Sequence, residues 1–157
     1  MPLEKSQSKK LVITLIWLSL LTGTLDAMAA LIWNYKASPV IIFEYIASGV
    51  FGRSAFAGGA PMVLWGVLFH YIIASSFTIV FYLLYPRFYR IFRNKYIIAL
   101  EFGVITWFVM NLAVVPLSRI GFKPFLHLIP ILTGMLILVI CIGLPVALTA
   151  DPRKKQA

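Results

Sequence analysis

Asp26, His70 and Asn111 are the side chains with chemistry to offer inside stretches that otherwise read as hydrocarbon, and Glu44 and Arg53 add an acid and a base between them. A carboxylate beside an imidazole can hold a cation or pass a proton, and an amide can orient either group. An acid within an apolar helix costs about 2.5 to 3.5 kcal/mol on insertion scales, so Asp26 marks a packing or binding role. Glu44, Arg53 and His70 fall in a stretch, 44–76, that also crowds together Gly49, Gly52, Gly58, Gly59 and Gly66. Those glycines imply close helix packing or a cover over a wet vestibule, because irregular backbone at membrane depth needs protein or water to satisfy it.

Other chemistries are thin. The sequence holds no Gly-x-Ser-x-Gly elbow, no His-Glu-x-x-His and no P-loop. Ser75 and Ser76 lack a base, since His70 lies five or six residues away on the same helix and points elsewhere. His70 and His127 fall on different segments, so no haem, metal or other cofactor is expected. Cys141, the single cysteine, has no partner for an intrachain disulfide and reads as a small buried hydrophobe. No enzymatic activity is expected from these residues.

The elements that must position Asp26, His70 and Asn111 follow from composition. Of 157 residues, 61% are hydrophobic and 12% charged, and the mean hydropathy is +0.94. Soluble domains run near half apolar and a quarter charged, so an all-α integral membrane protein is expected, in one domain over 1–157. A helix needs about 20 residues to cross a hydrocarbon core of ~30 Å. Runs at 11–33, 61–85, 97–117 and 128–148 meet that length, predicting a four-transmembrane-helix bundle. The first run also has the outline of a signal peptide, with Ala27-Met28-Ala29 as a small-residue triplet, but its apolar extension to Trp33 favours a first span. The connection 34–60 is too interrupted to span; a short interfacial or re-entrant helix is expected to start near Pro39 and end at Gly49.

Charge gives the orientation. Lys5, Lys9, Lys10, Arg87, Arg90, Arg93, Lys95, Arg153, Lys154 and Lys155 share one side, against Lys36, Arg53, Arg119 and Lys123 on the other. The positive-inside rule then puts both termini in the cytoplasm and the glycine-rich connection outside. The formal charge of +9 sits at span ends rather than on one soluble face, so the expected partner is the lipid bilayer and not nucleic acid. Trp33, Tyr35, Trp65, Tyr85, Tyr89 and Tyr96 lie near span ends, where amphipathic rings favour the interface.

Within the spans, Ser19, Thr22, Gly23, Asp26, Ala29 and Ala30 form a small and polar stripe that should face protein. Gly66, His70, Ala74 and Thr78 repeat every four residues as a second seam, and Pro116 frees a carbonyl near Leu112 beside Asn111. Counted from the span ends at Trp33, Pro61 and Leu117, Asp26, His70 and Asn111 all lie ~9 to 14 Å below the outer boundary. His127 and Arg119 would cap that layer, and Glu44 and Arg53 could reach it from the connection. Glu101 is expected to snorkel or to pair with Lys95 or Arg93. Two readings stay open: a hydrogen-bonded cluster that only fixes helix packing, and a pocket for a small solute, ion or proton.

The strings IASGVFGRSAFAGG at 46–59, VMNLAVVPLS at 109–118 and IGLPVAL at 142–148, with Gly66, His70, Ile73 and Ala74, resemble a bacterial group of four-span inner-membrane proteins, distantly YagU-like. The resemblance covers most of the chain, from about Gly23 to the tail. It implies a four-span fold in the bacterial inner membrane, with Asp26, Gly49, Gly52, Phe56, Gly58, Gly59, His70, Asn111 and Pro116 at recurring motif positions, and it implies no established activity. The chain departs from the group in its last helix, where Thr133 and Leu138 replace a polar pair. The function expected is an outward-facing polar pocket that binds or conducts a small solute, ion or proton; the alternative is a structural or regulatory membrane subunit. A pore through one four-span protomer is cramped, which makes a homo-oligomer a candidate assembly.

Overall fold

A computed structural model of the chain describes residues 5–124 and 127–151; the basic tail at Arg153, Lys154 and Lys155 lies outside that range. Among the described residues the secondary structure is helical throughout. Helix α1 is Lys5–Trp33, α2 is Pro39–Phe51, and α3 is Ala60–Phe92. Helix α4, Lys95–Leu117, is α-helical to Val109, opens into a π-turn over Met110–Val114, and closes with Val115–Leu117. Helix α5, Leu128–Ala150, has a second π-turn over Val139–Gly143.

Local chemistry sets the boundaries. Ser38 caps α2 by accepting from the Val40 N–H at 3.3 Å, and Pro39 supplies the φ of a first turn. Helix α2 continues past Gly49 to Phe51 and stops where Gly52 takes φ 67°, so Gly49 is an interior residue rather than the terminator. A 3₁₀ turn, Gly52–Ala57, then leads to Gly59 (φ 59°) and α3. Asn94 starts α4 by accepting from Tyr96 N at 2.9 Å. Helix α3 runs through Pro86 to Phe92, so Arg87 and Arg90 are helical and the expected end at 85 is passed. An internal proline costs about 3 kcal/mol or more, offset here by aromatic packing beyond it. Phe88 meets the Phe102 ring edge-on at 4.9 Å and stacks on Phe92 at 6.4 Å.

Helices α1, α3, α4 and α5 pack in a closed ring, each against the next, while α2 packs chiefly on α3. The bundle has two ends. One, the base, carries the start of α1, the turn at 92–95 and the end of α5. The other, the crown, carries the connections 34–38 and 52–59 and the residues 118–124 that follow α4. The hydrophobic core lies towards the base, where Phe81 and Phe102 stack at 4.4 Å among Leu18, Tyr85, Ile98, Ile142 and Val146. Here α4 and α5 touch backbone to backbone. A Cβ on Gly143 would fall on the Ala99 carbonyl, and one on Gly103 would fall on the Val139 main chain.

Five helices, α2 extended through its 3₁₀ turn among them, are long and apolar enough to cross a membrane. Only 17% to 33% of their most apolar windows is buried within the protein. The remainder, including Trp17, Leu64, Ile91 and Ile129, faces outward. A surface that is apolar on every side is matched to lipid rather than to water.

Candidate functional site

Three side-chain hydrogen bonds clamp α1 to α3. Thr22 and Thr78 hydroxyls meet at 2.7 Å, Thr24 and Tyr71 hydroxyls at 2.8 Å, and His70 Nε2 donates to the Gly23 carbonyl at 2.8 Å. The carbonyl can only accept, so the Nε2 atom carries the proton. The contact depends on Gly23, where a Cβ would press within 2.8 Å of the Tyr71 ring. Gly66, His70, Ala74 and Thr78 are all buried, since the four-residue repeat holds one face of α3 against its neighbours. Buried Ser19, on the same stripe of α1, has no hydrogen-bond partner for its hydroxyl.

Asn111 is placed by a proline. In a regular helix the Pro116 ring would press on the Leu112 carbonyl, and the π-turn at Met110–Val114 relieves that conflict. Pro145 follows the π-turn Val139–Gly143 at the same spacing, an identical solution in α5. Within the first π-turn Asn111 Nδ2 donates to the Trp107 carbonyl at 2.9 Å.

Asp26, His70 and Asn111 border one recess of about 350 Å³ between α1, α3, α4 and α5, on the crown side of the aromatic core. Asn34 and Thr106 add polar atoms to its wall, Ile46 of α2 contributes an edge, and Phe77, Trp107 and Ile142 supply apolar surface. The three polar residues do not bond one another: His70 is engaged with Gly23, Asn111 with Trp107. Among the described residues no hydrogen bond or ion pair engages the Asp26 carboxylate.

The other sequence candidates go elsewhere. Glu44 is buried on α2 with Ala47 and Ser48, and Arg53 is exposed on the 3₁₀ turn; neither lines the recess, because α2 turns its Glu44 face to α3 and enters the recess only through Ile46. Exposed Arg119 joins α4 to α2 through its backbone, with its N–H donating to Gly49 O at 2.9 Å. His127 is exposed at the start of α5. Glu101 forms no ion pair with Lys95 or Arg93 among the described residues. Among the glycines, Gly66 is the packing residue: a Cβ there would fall on the Phe43 carbonyl, so α2 crosses α3 at that point. Gly52 and Gly59 serve turns, Gly49 has ordinary space beside Ser118, and Gly58 faces only the flexible Met62 side chain.

Sequence reasoning missed Thr106, Trp107 and Asn34 as wall residues, and Gly103 and Gly143 as contacts. The pairs Ala99 with Gly103 and Gly143 with Ala147, small residues four apart, were the available signal. No cluster of three metal-ligating side chains forms among the described residues. No family model matches the chain, and neither curated proteins nor solved structures gave a match to it.

Proposed function

We propose that this is a four-span integral protein of a bacterial inner membrane, both termini cytoplasmic, whose intramembrane recess binds or conducts a small solute, ion or proton. Helix α2 is then a re-entrant or interfacial helix. Its α-helical part, 13 residues, extends about 20 Å, short of the ~30 Å hydrocarbon core, and the 3₁₀ turn that brings it to candidate-span length follows a break at Gly52, φ 67°. An even number of spans also keeps the basic N-terminal flank and the basic tail on one side, as the positive-inside rule favours.

The observation that carries the pocket reading is that Asp26, His70 and Asn111 border one recess without bonding each other. Polar residues kept only as glue would pair across the helices, as Thr22 and Thr78 do and as His70 does with Gly23; the side chains of Asp26 and Asn111 form no such cross-helix bond among the described residues. Solute and proton flux into liposomes, compared between wild type and Asp26→Asn, tests the reading. Flux in wild type that falls to background in the variant supports it; equal background in both removes it.

A second reading, a structural or regulatory subunit, draws on the bond from His70 to Gly23, which holds α1 to α3. It expects His70→Gln to lower the melting temperature or partner co-purification, with no ligand shifting the melting curve. A ligand-dependent shift abolished by Asp26→Asn decides against it.

A further inference from the structure

Resting on the pocket reading, the class of occupant follows from which hydrogen-bonding groups the wall has already used. Asn34 Nδ2 donates to Ala30 O at 2.8 Å, Asn111 Nδ2 to Trp107 O at 2.9 Å, Thr106 Oγ1 to Phe102 O at 2.7 Å, and His70 Nε2 to Gly23 O at 2.8 Å. Each acceptor is a backbone carbonyl, which cannot donate, so the direction of every bond is fixed. What these side chains retain is mainly acceptor capacity: the two asparagine Oδ1 atoms and the Thr106 oxygen. Asp26 adds a carboxylate, and among the described residues no lysine or arginine lines the recess. Of the asparagine and threonine donors, the second N–H on each asparagine is left over.

An ionised Asp26 in a wall with no lysine or arginine among the described residues disfavours an anion, and a cationic occupant pairs with that carboxylate where a neutral one does not. A hard metal cation such as Ca²⁺ or Mg²⁺ takes about six oxygen ligands, whereas most of this wall is carbon, and no cluster of three metal-ligating side chains forms among the described residues. A cation that brings its own N–H donors and its own apolar body satisfies both parts of the wall. We propose that the recess takes a small organic ammonium ion, a primary or secondary amine whose N–H groups bond Asp26 and the neighbouring acceptors. Its carbon body lies against Trp107 and Phe77, whose ring faces also attract positive charge. A volume near 350 Å³ lies within the range of small-molecule sites and suits an aryl-alkyl amine.

Calorimetry on the purified full-length protein in lipid nanodiscs tests this with phenethylammonium, its N,N,N-trimethyl analogue, phenethyl alcohol and 3-phenylpropionate. Phenethylammonium is expected to bind saturably, and the alcohol and carboxylate about tenfold more weakly or worse, because a charged hydrogen bond is lost. The trimethyl analogue, lacking N–H, should fall between them. Asp26→Asn should weaken phenethylammonium about tenfold or more, and Asn111→Leu about fivefold. If Asp26→Asn does not fold, the ranking of the probes on wild type still decides. Alcohol or carboxylate binding as tightly as the ammonium, and lost in the recess-filling Ala30→Phe, would overturn the ammonium class while leaving the recess as a binding site. Ammonium binding indifferent to Asp26→Asn and Ala30→Phe would overturn the ammonium site in this recess, and no binding of any probe would overturn the ammonium class alone, leaving the pocket reading to the flux measurement.

Discussion

The base and the crown of this bundle are built from the same apolar composition and solve different problems. At the base, helices meet without gaps: Phe81, Tyr85 and Phe88 surround Phe102, and Gly103 and Gly143 bring α4 and α5 to backbone contact. At the crown the same four helices leave a recess, and the polar groups around it bond backbone carbonyls of their own helix or, for His70, of the next. Lipid is as apolar as a leucine side chain, so burial from water does not hold such helices together; dispersion and close approach do. Stability therefore concentrates where packing is complete. The region that lacks complete packing is the region free to take an occupant.

The widest separation of the two ends comes from substitutions at the base. Phe102→Ala should lower stability by about 2–3 kcal/mol, below the ~3–5 kcal/mol of a soluble core because lipid rather than water is the outer phase. Steric-trapping or denaturant unfolding in detergent measures this, and a loss no larger than that of a crown substitution would break the comparison. Gly143→Ala, whose methyl would fall on the Ala99 carbonyl, should cost about 1–3 kcal/mol by the same measurement. Gly66→Ala at the crossing of α2 and α3 is expected to cost about 1–2 kcal/mol and to make α2 more accessible to proteolysis, while the base stays folded. Asp26→Asn should leave the melting temperature unchanged or raised, since no hydrogen bond or ion pair among the described residues engages this carboxylate and its burial is a cost. A clear fall in melting temperature would mean that Asp26 works as glue. A small coupling, about 0.6 kcal/mol, is expected from the double-mutant cycle of Thr22→Val with Thr78→Val.

The two ends also differ in how far they could be read before folding. Asp26, His70 and Asn111 stood out as polar residues inside apolar runs, and counting residues from span ends put them at one depth, because a helix converts sequence number into distance at a fixed rise. The same count could not find Thr106, Trp107 or Asn34, which border the recess only because of the rotation of α4 and the exit of α1. Glu44 and Arg53 do not reach the recess because the rotation of α2 about its axis and the direction of the 3₁₀ turn after it are set by packing on α3, which local sequence does not give. From sequence the span is expected to end at 85, before Pro86, since the cost of a proline is local, whereas the packing of Phe88 on Phe102 that offsets it involves a different helix.

By itself the sequence determined that the chain is helical, that its helices are apolar on nearly every side, and where most of them begin, because caps, prolines and hydropathy are local properties. It also determined that α1 and α3 each carry a seam of small and polar residues. Tertiary structure alone decided that these seams face each other, that the π-turns before Pro116 and Pro145 re-aim α4 and α5, and that Asp26 is left without a hydrogen bond or ion pair among the described residues. Which donor meets which carbonyl depends on helix rotation and crossing, and those are set by contacts such as Phe43 on Gly66 and Ala99 on Gly143, between residues far apart in the chain.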